Sequence, residues 1–199
     1  MCDKHYVVHE EEYKGHTIKI LTDDMAESPR EWDNLGTMVC FHRNYKLGDK
    51  HDFQTPDEVL DFIKSPDVIS LPLFLYDHSG ITMNTTGFSC PWDSGQVGII
   101  YITKETIRKE MSRKRGNKYV PIKHVTKKDI ERALDLLRSE VKTYDYYITG
   151  NVTGFVIEKD DEDIDSCWGF IGDYDNEDYG SLSEARSIVD HVTDEVTAI

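Results

Sequence analysis

Residues 126–144 read TKKDIERALDLLRSEVKTY, and this stretch decides the fold. Ile130, Ala133, Leu134, Leu137, Val141 and Tyr144 recur at helical spacing, so one stripe of a long helix faces a core. Thr126 with Asp129 is a start signal, because each side chain can satisfy an amide left free in the first turn. Working outward, Gln96 to Ile102 on the N-terminal side is a short apolar run of strand length. On the C-terminal side, Val152 to Glu158 and Ser166 to Ile171 read as two strands joined by the acidic loop Lys159 to Asp165.

Further from the centre, Tyr6–Val8 and Thr17–Ile20 form a hairpin around Gly15, within Lys4 to Asp24. Ser28-Pro29 opens a helical turn that Gly36 ends, and Thr37 to His42 is a short strand. Thr55-Pro56-Asp57-Glu58 starts a helix that runs to Lys64. Val68 to Tyr76 carries Pro72, which marks an edge strand or a bulge, and Ile81 to Thr86 is its hairpin partner. Thr103 caps a helix to Arg113. Ser181-Leu182-Ser183-Glu184 reads as a capping box that starts a last helix. Strands and helices mix without a βαβ period. The expectation is a single α+β domain over residues 1–199, with a largely antiparallel sheet and about four helices.

The composition bounds the function. Charged residues make up 31% of 199, yet three Trp, eleven Tyr and seven Phe are too many for a disordered chain. The longest apolar runs fall far short of the roughly 20 residues of a membrane helix, and no apolar stretch follows Met1. The chain is therefore expected to act in the cytoplasm. Cys2, Cys40, Cys90 and Cys167 lie far apart and read as free thiols.

The net charge of −15 is uneven. Residues 104–150 hold 13 bases against 7 acids, whereas residues 151–199 hold 14 acids against 2 bases. Most of the surface therefore repels nucleic acid and anionic lipid, and one segment attracts them.

Two motifs stand out, SPREWDNLG at 28–36 and FSCPWDSGQVG at 88–98, together with YDHSG at 76–80. With Gly150–Gly154 and Ser166–Gly169, these words resemble a family of proteins carried by tailed phages, prophages and mobile elements of bacteria. The resemblance implies a genomic setting and an accessory role toward host machinery. It transfers no catalytic residue.

Four constellations offer chemistry. His78, Cys90, Asp93 and Gln96 suggest a cysteine-dependent or nucleotide-processing enzyme. In that reading His78 activates the thiol, Asp77 or Asp93 orients the imidazole, and Gln96 binds an oxyanion. The competing view makes residues 87–98 a structural loop with Trp92 filling the core. Asp173, Asp175, Glu177 and Glu184 fall at EF-hand places, but Asp178 stands where the sharp turn needs Gly, so solvated acids are preferred and no metal or cofactor is assigned. The basic segment 104–128, with Arg113, Lys114, Arg115 and Lys118 in a loop between two helices, would grip phosphates in a nucleic-acid-binding regulator.

The fourth is the acidic set Asp160, Asp161, Glu162, Asp163, Asp165, Asp173, Asp175, Glu177 and Asp178. Carboxylates on a rigid face can stand in for phosphates and occupy a basic channel on another protein. The preferred expectation is an accessory protein that binds and modulates a basic host protein of nucleic-acid handling or defence, with neither catalysis nor a membrane required.

Overall fold

The computed structural model describes residues 5–197, with side chains to Thr193. Cys2 and the start of the first hairpin at Lys4 lie outside the described residues. The fold is α+β with antiparallel sheets and four α-helices among the described residues. Its contacts divide the chain into two compact units, residues 1–28 with 146–199 and residues 29–145.

In the first unit, β1 (Val7–Tyr13), β2 (His16–Thr22), β9 (Val152–Lys159) and β10 (Glu162–Ile171) form one sheet in the order β1-β2-β9-β10. Both hairpins turn on two residues. Lys14 and Gly15 join β1 to β2, and Asp160 and Asp161 join β9 to β10, all four with positive φ. Such left-handed pairs match the twist of the flanking strands. One face carries Ile18, Ile20, Phe155 and Ile157, which pack with Leu182, Ala185 and Val189 of α4 (Ser181–Thr197). The Ser181 hydroxyl, expected to cap α4, is instead buried against the Thr153 hydroxyl at 2.9 Å.

In the second unit, β3 (Thr37–Cys40), β6 (Ser94–Thr103), β4 (Val68–Asp77) and β5 (Ile81–Asn84) form a sheet in the order β3-β6-β4-β5. Val39 and Ile99 on one face pack with Val59 of α1 (Pro56–Phe62). The other face presents Met38, Leu73, Leu75, Met83 and Ile100, all buried, toward α3 (Lys127–Ile148). The stripe read from sequence holds. Ala133, Leu137, Val141 and Tyr144 are buried, and Ile130 and Leu134 are half-buried. Pro72 is accommodated as expected, since β5 pairs only with Phe74–Asp77 and the register slips between Leu73 and Phe74. At Pro72 the strand is therefore bonded on one side only.

Thr103 caps α2 (Lys104–Glu110) as read, accepting the Thr106 amide at 3.1 Å. That helix stops at Glu110 and does not reach Arg113. Residues 112–121 instead form a hairpin, β7 (Ser112–Arg115) and β8 (Lys118–Pro121), turned on Gly116 with positive φ.

The motif at 28–36 has a structural meaning. Pro29–Glu31 is a 3-10 turn that buries the Arg30 side chain to 4% exposure. Its guanidinium donates to both Asp49 oxygens at 2.7 Å, to Glu140 at 3.0 Å and to the Gly36 carbonyl at 2.7 Å. Glu140 in turn accepts the Leu35 and Gly36 amides, and Asp49 accepts the Met38 amide. Asn34 closes the turn by donating to the Pro29 and Trp32 carbonyls. Gly36 has no side chain because a Cβ there would collide with Leu137 and Ile100. The motif is thus a clasp on α3 built around the buried Arg30 side chain, which donates to Asp49, Glu140 and the Gly36 carbonyl.

Candidate functional site

All nine acids of the candidate binding face are exposed in the first unit. Asp160 and Asp161 form the turn, and Glu162, Asp163 and Asp165 lie on β10. The segment expected as a loop is largely strand. Eight consecutive residues of β10, Glu162 to Gly169, are exposed, as fits an edge strand kept apart from other edges by charge. Three of the four cations whose side chains are described in this unit are paired with its own acids. Lys19 pairs with Glu158, Lys14 with Asp190, and Arg186 with both oxygens of Glu11.

By sequence, the first unit holds 21 Asp and Glu against five Lys and Arg, a net of −16. The second holds 17 against 18, a net of +1. The charge of the whole chain is therefore the charge of one unit.

Asp173, Asp175, Glu177 and Asp178 line the approach to α4. Asp173 accepts the Tyr146 hydroxyl at 3.1 Å, and the Asn176 side chain caps the Asp178 and Tyr179 amides. Among the described residues no group of three or more His, Cys, Asp or Glu gathers to hold a metal ion.

The structure brings His78, Cys90 and Asp93 together, but in a different order from a nucleophile–base–orienter chain. The Asp93 carboxylate sits between the other two, 3.3 Å from His78 Nδ1 and 3.7 Å from Cys90 Sγ. A negative group beside the sulfur is the opposite of what generates a thiolate. Gln96 points its amide at the Gly98 carbonyl, 3.2 Å away. The loop is held by its own polar groups, with the Ser94 hydroxyl on the Cys90 carbonyl and the Asp77 amide on the Asp93 carbonyl. Trp92 does not fill the core, since it is 92% exposed. Gly98 is needed for packing, because a Cβ there would run into the Val39 carbonyl of β3.

The free thiols differ in ways that alkylation will read. Burial, with Asp49 adding to it, pushes the Cys40 thiol up to about 12. Cys167 on β10 is exposed. Titration of the native protein with a thiol reagent between pH 5 and 8 is expected, among the three described thiols, to label Cys167 first and Cys40 last. Fast reaction of Cys90 near pH 6 would mean a thiolate is present there and would restore the enzyme reading.

In the basic segment, Arg113 is already occupied. It forks onto Asp129 and donates to the His124 carbonyl, while Arg132 donates to the Ser112 carbonyl. These contacts fix the base of the β7–β8 hairpin to the start of α3. Arg113 beside it, with the Thr126 hydroxyl and amide, holds the Asp129 carboxyl well below the usual carboxylate range. The sign follows: that stabilisation is complete above about pH 4 and fades as pH falls further. Lys114, Arg115 and Lys118 remain exposed.

No protein-family model, no curated protein and no solved structure matches this chain.

Proposed function

We propose that the chain works by binding, as an accessory protein of a phage or mobile element whose acidic unit engages a basic, nucleic-acid-handling protein of the host. The observation that carries this reading is the segregation of charge, −16 in one unit against +1 in the other. A charge needed only for solubility gains nothing from concentration in one unit, and a steering surface does. The strand adds spacing to sign. Glu162, Asp163 and Asp165 span about three strand steps, roughly 10 Å, so their mean interval is about 5 Å, of the same order as the ~3.4 Å per phosphate along the axis of one DNA strand.

The test is capture from host lysate at low salt, followed by elution. The bound proteins are expected to be basic and to be displaced by added duplex DNA, because the acidic face and DNA compete for one surface. Raising salt from about 50 to 300 mM should release them, as the Debye length falls well below its ~10 Å value at 0.1 M. Retention that ignores both salt and DNA would overturn the reading. Tight binding of nucleic acid by the purified protein, abolished by changes in Lys114, Arg115 and Lys118, would replace it with the regulator reading.

A further inference from the structure

Residues 41–51, FHRNYKLGDKH, form a loop that leaves β3 and returns beside it. Its neck is closed by the Val39–Gly48 bridge and by the Asp49 amide on the Met38 carbonyl at 2.8 Å. The Gly48 amide also donates to the Tyr144 hydroxyl of α3 at 3.0 Å. Inside the loop, His42 Nδ1 accepts the Asn44 and Tyr45 amides at 3.3 Å each, and the two rings stack at 5.0 Å. With Nδ1 an acceptor, His42 carries its proton on Nε2 and offers it as a donor. A compact loop with a pinned neck is a recurrent carrier of function.

The charges of this loop have no internal use. Arg43, Lys46 and Lys50 are exposed, and none makes an ion pair among the described residues. The only acid in the loop is Asp49, and its carboxylate is already spent on Arg30 and the Met38 amide. All three cations line one open hollow with His42, Tyr45 and His51. His51 also borders the hollow. Its Nε2 lies 3.3 Å from the Cys40 carbonyl, while its Nδ1 is buried and has no partner among the described residues. Because Nε2 must donate to that carbonyl, Nδ1 is an acceptor and attracts no anion, so the anion-binding groups of the hollow are Arg43, Lys46, Lys50 and the His42 Nε2–H.

We propose that this loop is a binding site for a small polyphosphate anion of di- or triphosphate charge, such as the phosphate tail of a free nucleotide. A singly charged anion would neutralise one of the three cations and leave the others repelling. A diphosphate presents enough oxygens for Arg43, Lys46 and Lys50 at once, with the His42 imidazole as a further donor. The site lies in the second unit, and it stands whether or not the acidic unit binds as proposed above.

Titration of the isotope-labelled full chain with inorganic pyrophosphate, followed by amide shifts, tests the site. Saturable shifts confined to residues 42–51 are expected, and adenosine triphosphate should produce the same pattern at lower concentration. Sodium sulfate at matched ionic strength should produce little. The double variant Arg43→Ala, Lys46→Ala should weaken pyrophosphate binding by roughly tenfold or more, the scale of one lost charge-assisted contact. Lys114→Ala with Lys118→Ala should leave it unchanged. Both pairs are exposed, so each variant is expected to fold, and unshifted core amides would confirm that. No saturable shift up to about 10 mM pyrophosphate, a range that still covers millimolar affinity, would overturn the proposal. So would equal weakening by the two double variants, or binding of an oligonucleotide where pyrophosphate fails.

Discussion

Replacing Arg30 with Ala is expected to cost about 3–5 kcal/mol of stability, the usual loss when one partner leaves a buried ion pair. The side chain is 4% exposed, and its removal strands two carboxylates, Asp49 at 19% and Glu140 at 16% exposure. It also takes a side-chain donor away from the Gly36 carbonyl. Arg30→Lys should recover only part of the loss, because an ammonium cannot fork onto Asp49 while reaching Glu140 and Gly36. An apolar replacement of the whole triad, which is often harmless elsewhere, should fail here. Asp49 and Glu140 also satisfy the Met38, Leu35 and Gly36 amides, which would then be left buried without acceptors. Chemical denaturation reads the difference. A loss below about 1 kcal/mol, the range of ordinary surface changes, would mean the clasp is dispensable.

Phe155→Ala should be as damaging in the first unit, at about 3–5 kcal/mol for an emptied aromatic site. Phe155 is fully buried at the centre of β9, among Ile18, Ile20, Ile157, Leu182, Ala185 and Val189. Phe170 packs beside it with ring centroids 5.7 Å apart. Strand β9 cannot shift to close the space, since its register is fixed by β2 on one side and β10 on the other. Phe155→Leu, which keeps most of the volume, should cost less than about 1.5 kcal/mol. Equal losses for Ala and Leu would show that the ring makes a contact that the packing does not account for.

Local signals were legible and distant ones were not. Thr55, Thr103 and Thr126 announce three helix starts because a cap is a contact within three residues. The stripe on α3 could be read because a helix repeats its buried face. No comparable signal pairs β2 with β9, or joins Arg30 to a glutamate 110 residues away. Those partners meet only in three dimensions, so the motif at 28–36 was visible as a word without its meaning. Acid-rich sequence is a poor strand former, and residues 160–165 read as a loop for that reason. The edge position of β10 reverses the preference, since there charge guards an open edge. Trp92 misled in the same manner, because burial is a habit of tryptophan and not a rule. The cations of residues 41–51 escaped notice because they are too dispersed in sequence to form a run. Only the closed neck of the loop gathers them.

The central claim is that the acidic unit is the binding surface, and affinity for a captured basic partner tests it most directly. Three proteins are compared: the unaltered chain, a variant with Glu162, Asp163, Asp165 and Glu177 changed to Lys, and a variant with Lys114, Arg115 and Lys118 changed to Ala. All seven positions are exposed, so folding should survive in each. Reversal of the four acids should weaken binding by about 100-fold at low salt, chiefly through the electrostatic contribution to association, and flatten its salt dependence. The hairpin variant should bind like the unaltered chain. Undiminished binding by the acid-reversed protein, or loss confined to the hairpin variant, would contradict the claim.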